Sequence, residues 1–373
     1  MKKPNLLIVL YFVLSIALTN AQGLEKQLDD HINTYLSFNS EQPVANILVY
    51  LENAKKDFTY NKGFGQLSLS NETPVEANSP FKIASITKMF TATLILQLVE
   101  DDKFKLNDNV VDLIGEIEYV DFDRLSVFNG KSYGSKITVR ELLNHTSGLA
   151  DIFTDTEKEF MARLFENPEK QWTTEDLFEL YYEFGLNTRA HFKPGKGFHY
   201  SDVNYFLLGL LIEKYTNLPL AEAYRTYILQ PAGMQNTYYE YHETAKNALP
   251  MPSSYIGNIE LNKDINTSFD WAGGGLVSTT YDLNLFMKAL FTSVLFKNKN
   301  LFEEMISESD NRYGYGIILY SFDDIRFYGH SGYWGSDVFY NPDLEITMVI
   351  SVNQTNLPFN HREFVKSIYN MIK

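Results

Sequence analysis

Leu24, Leu28, Ile32 and Leu36 recur at helical spacing and predict an exposed helix over 24–42. Residues 44–51 and 58–69 then alternate apolar with polar, the period of two antiparallel strands, with Gly63 and Gly65 loosening the second. After Pro80 the period changes. From Ser85 onward Met89, Ala92, Leu94, Ile95, Leu98 and Val99 form an apolar face so broad that the helix must be buried on most sides. From 106 to 287 the pattern is mainly helical, with one helix marked by Phe178, Tyr181 and Tyr182 and another by Leu207, Leu208, Leu210 and Leu211. Segments 315–322, 324–328, 338–341 and 346–352 return to β-branched and aromatic strand composition, and a helix starts near His361. Strands at both ends with helices between predict an α/β (α+β) fold. Its antiparallel sheet is built from both chain ends and flanked by helices, and a helical subdomain is inserted at about 106–287.

A chain of 373 residues suits one large domain with an insertion. Its net charge of −15 repels nucleic acid and anionic membrane, which makes neither an expected partner. With no cysteine, a thiol nucleophile, a disulfide framework and a lipidated cysteine are all excluded. Lys2 and Lys3, an apolar run over 6–18 and Thr19-Asn20-Ala21 read as a secretory signal over 1–21, ahead of a domain over 22–373. The run is too short for a convincing membrane span, and no later stretch is long and apolar enough. The expected destination in a Gram-negative cell is the periplasm.

Three segments carry candidate chemistry. Ser85-Ile86-Thr87-Lys88 opens the buried helix and places a hydroxyl and an amine one turn apart on one face. The tetrapeptide pattern is common, and Ser79-Pro80-Phe81-Lys82 also fits it, but Pro80 breaks the turn and no amphipathic helix follows directly. Taken alone, Ser85 is equally readable as a capping serine. His199-Tyr200-Ser201-Asp202 precedes another helix and presents a phenol, whose pKa nearby lysines would lower; the plain alternative is a helix cap with Tyr200 packed. Gly329-His330-Ser331-Gly332-Tyr333-Trp334-Gly335 lets backbone and ligand approach closely, or is a glycine bulge beside a satisfied histidine. No HExxH occurs and the seven histidines lack ligand spacing, so no metal and no cofactor is expected.

Together these segments resemble the serine β-lactamase and penicillin-binding-protein-like family, in the branch holding class C β-lactamases, D-alanyl-D-alanine carboxypeptidases, D-aminopeptidases and esterases. Leu142-Leu143-Asn144-His145-Thr146-Ser147-Gly148-Leu149, Pro194-Gly195, and Trp271 to Thr279 followed by Asp282 look like further segments of that family, in the same order. The resemblance implies hydrolysis of an amide or ester through an acyl-enzyme, on a small-molecule or peptide substrate such as a D-amino-acid peptide or small ester of the cell envelope. It implies Ser85 as nucleophile, Lys88 as partner in the base role, and Tyr200 as the group that moves the proton. The backbone N–H groups of Ser85 and Tyr333 would form the oxyanion hole, and Asp202, His330, Ser331, Gly332 and Tyr333 would meet substrate. His145 would be structural. One departure stands out: Asp202 replaces the family's usual asparagine, and a carboxylate cannot donate to a substrate carbonyl. Asp202 would hold Lys88 charged if they meet, which disfavours an efficient β-lactamase and keeps open a penicillin-sensing or peptidoglycan-binding module with little turnover. A rival enzyme reading makes Ser331 the nucleophile of an α/β-hydrolase, with His361 the one later histidine. Phe153, Trp172 and Tyr238 are candidate cleft residues, and oligomeric state is not legible.

Overall fold

The alternation read from the first strand is a division between two cores. In the computed structural model, which describes residues 22–243, 249–261, 265–307 and 311–373, strand Asn46–Asn53 sends Ile47, Val49 and Leu51 to one face and Leu48 and Tyr50 to the other. The leader expected over 1–21 lies outside the described residues. Facing Ile47, Val49 and Leu51 are Leu28 and Ile32 of a helix over 22–33, with Phe364, Val365, Ile368 and Tyr369 of the last helix, His361–Ile372. Leu48 and Tyr50 join the larger core, which takes in the remaining helices.

The sheet has seven antiparallel strands in the order Ile318–Phe322, Ile325–Gly332, Ser336–Asn341, Ile346–Ser351, Asn46–Asn53, Phe58–Ser68 and Asn71–Pro74. Its centre pairs the two ends of the chain, with Leu48 opposite Ser351 and Tyr50 opposite Val349. A one-residue slip would exchange the two faces, and since both are buried the register is strongly fixed.

Helices Thr87–Glu100 and Asp202–Thr216 pack together at the middle of the larger core, with the short helix Trp271–Gly274 against both. The predicted helical insertion ran to 287. Helix Thr280–Phe291 instead lies on the sheet, where Asn284 Nδ2 donates to Tyr50 Oη (3.1 Å) and Lys288 pairs with Glu52 (2.6 Å). Among the described residues no helix is long and apolar enough to cross a membrane.

Candidate active site

Strand Leu276–Ser278 pairs with Phe81–Lys82 on one side and Tyr238–Tyr239 on the other, and the Ile83 N–H continues the ladder by donating to Leu276 O (3.1 Å). Ala84 then takes φ +44°, a left-handed conformation costly for a side chain with a Cβ, and turns the backbone into a short 3₁₀ turn, Ala84–Ile86. Ser85 therefore sits in that turn, just before the α-helix that begins at Thr87, rather than inside the helix's first turn. The three-residue spacing still brings Lys88 Nζ to 3.0 Å from Ser85 Oγ.

Lys88 is fully buried, and its ammonium has three acceptors: Ser85 Oγ, Asp202 Oδ1 in a very short ion pair, and Gly273 O at 2.9 Å. An ammonium has three N–H donors, so all are committed. Asp202 begins helix Asp202–Thr216, and its N–H donates to Asp151 Oδ1 (2.7 Å). Asp151 is wholly buried, and burial together with the Asp202 charge pushes its carboxyl up to about 7. Gly273 has no room for a side chain, because a Cβ there would lie 2.5 Å from Asp202 Oδ1 and 3.3 Å from Lys88 Nζ. We expect Gly273→Ala to separate the ion pair, cost about 1–3 kcal/mol of stability and lower kcat/KM at least tenfold. Thermal melts and steady-state kinetics check this.

Tyr200 is aimed at the same place. Its phenol is buried without a hydrogen bond to any described residue, but it faces the Ser85 hydroxyl, and its ring centroid lies 5.0 Å from Lys88 Nζ. Burial, with Asp202 next, raises its pKa well above the ordinary phenol value, and the Ser85 hydroxyl offsets this only in part. The expected lowering by lysine is overturned, because the Lys88 charge is matched by Asp202 and the phenol is desolvated. Tyr200 rests as a neutral proton donor.

Behind Tyr200 lies a chain of rings. The His145 ring centroid is 4.2 Å from that of Tyr200. His145 Nδ1 accepts from Ser201 N–H (3.2 Å) and Asn204 Nδ2 (3.1 Å), so its Nε2–H donates to Tyr313 Oη (3.2 Å). His330 Nδ1–H donates to Ser331 O (2.7 Å), which leaves Nε2 to accept from Tyr313 Oη (3.1 Å). Burial and then the Lys88 charge lower both histidines, His330 to about 3, so both are neutral. His145 is buried, engaged through both ring nitrogens, and does not line the cavity onto which Ser85 opens. His330 is a correction: it is buried with both ring nitrogens engaged, and it lies behind Tyr200 instead of at the substrate.

Ser85, Tyr200, Asp202 and Gly273 open onto a cavity of about 320 Å³. Tyr333 and Phe153 line it, while Trp172 and Tyr238 do not. Phe153, Phe160 and Phe269 form one wall, with ring centroids 4.8 to 5.5 Å apart. Glu157 and Asp270 add acid to the lining, and burial followed by the Asp202 charge pushes Asp270 up to about 7. Gly332 lies against Ile83 O, where a Cβ would come within 2.3 Å, so this glycine lets strand Ile325–Gly332 close on the turn that carries Ser85. Ser331 is on the other face, paired opposite Asp337, with its hydroxyl 2.9 Å from Tyr320 Oη. It lines a separate hollow of about 590 Å³ with Asp337 and His361, which contains none of Ser85, Lys88 and Tyr200. Ser331 thus lies away from the cavity that Ser85 and Tyr200 line.

Residues 53–365 match the family profile described as Beta-lactamase. The chain is 31% identical to penicillin-binding protein 4* of Bacillus subtilis (strain 168) over 48% of its own length, but that match spans only 35% of the relative. It is 24% identical to a putative D-alanyl-D-alanine carboxypeptidase of Salmonella enteritidis, over 93% of this chain and 88% of that one. Among solved structures, D-amino acid amidase from Ochrobactrum anthropi SV3 superposes with TM-score 0.75 at 22% identity, over 95% of this chain and 98% of that one.

Proposed function

The chain belongs to the β-lactamase family, and from that premise we propose that it is an exported, periplasmic acyl-enzyme hydrolase of D-amino-acid amides or short D-peptides with an apolar side chain. The observation that carries this reading is Lys88 Nζ bridging Ser85 Oγ and Asp202 at the base of a cavity with a phenylalanine wall and an acidic lining. The wall suits an apolar side chain, and the carboxyl groups suit a free ammonium. The D configuration rests on the similar proteins, a putative D-alanyl-D-alanine carboxypeptidase and a D-amino acid amidase.

The proton path follows from the committed donors of Lys88. As Ser85 Oγ bonds to the substrate carbonyl carbon, Lys88 passes one proton to Asp202 and takes the serine proton in its place. Asp202 is the final proton acceptor of this step. The carbonyl oxygen gains negative charge between the Ser85 and Tyr333 N–H groups. Collapse breaks the carbon–nitrogen bond, and Tyr200 gives its proton to the leaving amine. The resulting phenolate is strongly basic because of its burial, and it takes a proton from the water that attacks the acyl-enzyme. Ser85 leaves with a proton from Lys88, which recovers its own from Asp202.

Intact-mass spectrometry and steady-state turnover, with D-phenylalanine amide, D-alanine amide, L-phenylalanine amide, a D-Ala-D-Ala peptide and a p-nitrophenyl ester, test the proposal. We expect D-phenylalanine amide to be hydrolysed with kcat/KM about tenfold or more above D-alanine amide, the scale of an apolar pocket's discrimination. Preference for the L amide would overturn the substrate assignment. A stable adduct without turnover would instead support the penicillin-sensing module.

A further inference from the structure

Separate from the reactive cavity, three metal-ligating side chains from three stretches of chain meet at one point. Asp155 Oδ2 is 2.8 Å from His191 Nε2 and 3.0 Å from His199 Nε2, and the two imidazole rings stack with centroids 3.5 Å apart. All three donor atoms lie within 4.8 Å of one another, the one such cluster among the described residues. It has no signature along the chain, since His191 and His199 lack ligand spacing and Asp155 lies far ahead of them. The loops create it: His191 N–H donates to Gly148 O (2.9 Å) and His199 N–H to His145 O (3.0 Å), which clasp the 191–199 segment to the loop that carries Asp155.

The surroundings suit a cation. His191 is exposed on one side, so an ion can reach the cluster and keep water in its remaining positions. Asp155 is anchored, because its Oδ2 also accepts the Asp151 N–H (2.8 Å). Burial disfavours its charge, yet the Asp151 N–H and His191 still hold its carboxyl below the usual range. His199 is half-buried, with its Nε2 turned to the same Asp155 oxygen. None of the three is a hydrogen-bond partner of Ser85 or Lys88.

We infer that Asp155, His191 and His199 form a binding site for a divalent first-row transition metal of the zinc class, which fastens the 191–199 segment to the 151–155 loop beside Tyr200. Two imidazoles and one carboxylate are a borderline-soft donor set of the kind that zinc, nickel or copper takes and that magnesium or calcium does not. Binding asks both rings to tilt from their stack so that their lone pairs converge, a side-chain movement that the exposed edge of His191 allows.

The test uses the purified full-length protein and metal alone. Titration with Zn²⁺ by calorimetry should show one equivalent per chain, and Co²⁺ should give the visible absorption of a nitrogen- and oxygen-ligated ion, removed by EDTA. Zn²⁺ should raise Tm, and Mg²⁺ should not. His191→Ala, whose ring is the most exposed of the three, and Asp155→Asn should each weaken Zn²⁺ binding at least tenfold, while circular dichroism verifies the fold of each. Ser85→Ala should bind as the unaltered protein does, which separates this result from any failure of the proposed catalysis. Absence of saturable binding, or binding undiminished in His191→Ala and Asp155→Asn, would overturn the inference.

Discussion

Ser85→Ala should remove the acyl adduct in intact-mass spectra and lower kcat/KM by roughly 10⁵-fold, leaving the fold intact. The size of the effect follows from the chemistry: the side chain supplies the atom that forms the covalent bond, and knocking out the nucleophile of a serine hydrolase costs on the order of 10⁶ in the best-studied case. The small effect on stability follows from the site. Ser85 is only half-buried, and its hydroxyl makes one hydrogen bond, to Lys88. Lys88 keeps Asp202 and Gly273 O in the variant, so no buried charge loses its counter-charge. Activity that survived at more than a percent of the unaltered level would remove Ser85 from the mechanism, and with it the acyl-enzyme. A melt shifted by more than a few degrees would show that the serine has a structural part in the turn after Ala84.

Lys88→Met should be severe in both activity and stability. Methionine has nearly the length of lysine and fills the same space, so the cavity left is small. What disappears is the cation. Asp202 then faces an apolar side chain where it had an ion pair, and breaking a buried pair from one side costs about 3–5 kcal/mol. The proton path between Ser85 and Asp202 is cut as well, for a loss of about 10²–10⁴ in kcat. A second variant separates the two effects. Lys88→Met combined with Asp202→Asn removes the unpaired charge, so it should recover much of the lost Tm and none of the lost activity. Recovery of both would mean that Lys88 only neutralises Asp202. Recovery of neither would mean that Lys88 holds the helices Thr87–Glu100 and Asp202–Thr216 together by its stem.

The strands and the two central helices were legible because both faces of the sheet are buried, so period and composition carry the full signal. Boundaries failed where small residues were read as breaks. The predicted strand 324–328 extends to Gly332, since Gly329 and Gly332 keep pairing and their missing side chains let Val338 O and Ile83 O approach. That extension also decided His330 and Ser331. In a continuous strand neighbours point to opposite faces, so one turned in behind Tyr200 and the other turned away from the site. Ser85, Lys88, Tyr200, Asp202 and Tyr333 were all named from the chain, and all lie at the cavity or under it. Asp151, Tyr313 and Asp270 were missed. A lone acid or phenol in a loop has no periodic signature, and its importance comes from burial that only the fold creates. The Gly273 carbonyl is illegible for another reason: the Trp271 to Thr279 segment stands out by its residue types, but a backbone oxygen has no side-chain chemistry to read.

The middle of the sheet joins strand Asn46–Asn53 to Ile346–Ser351, one from each end of the chain. During synthesis the first partner must therefore wait, unpaired on that side, until almost the whole polypeptide has been made. Contacts so distant in sequence form slowly, because a long loop has to close before they return any stability. A molecule cut short before residue 346 would be left with an apolar edge and no neighbour to cover it, and it should aggregate instead of settling into a smaller folded unit.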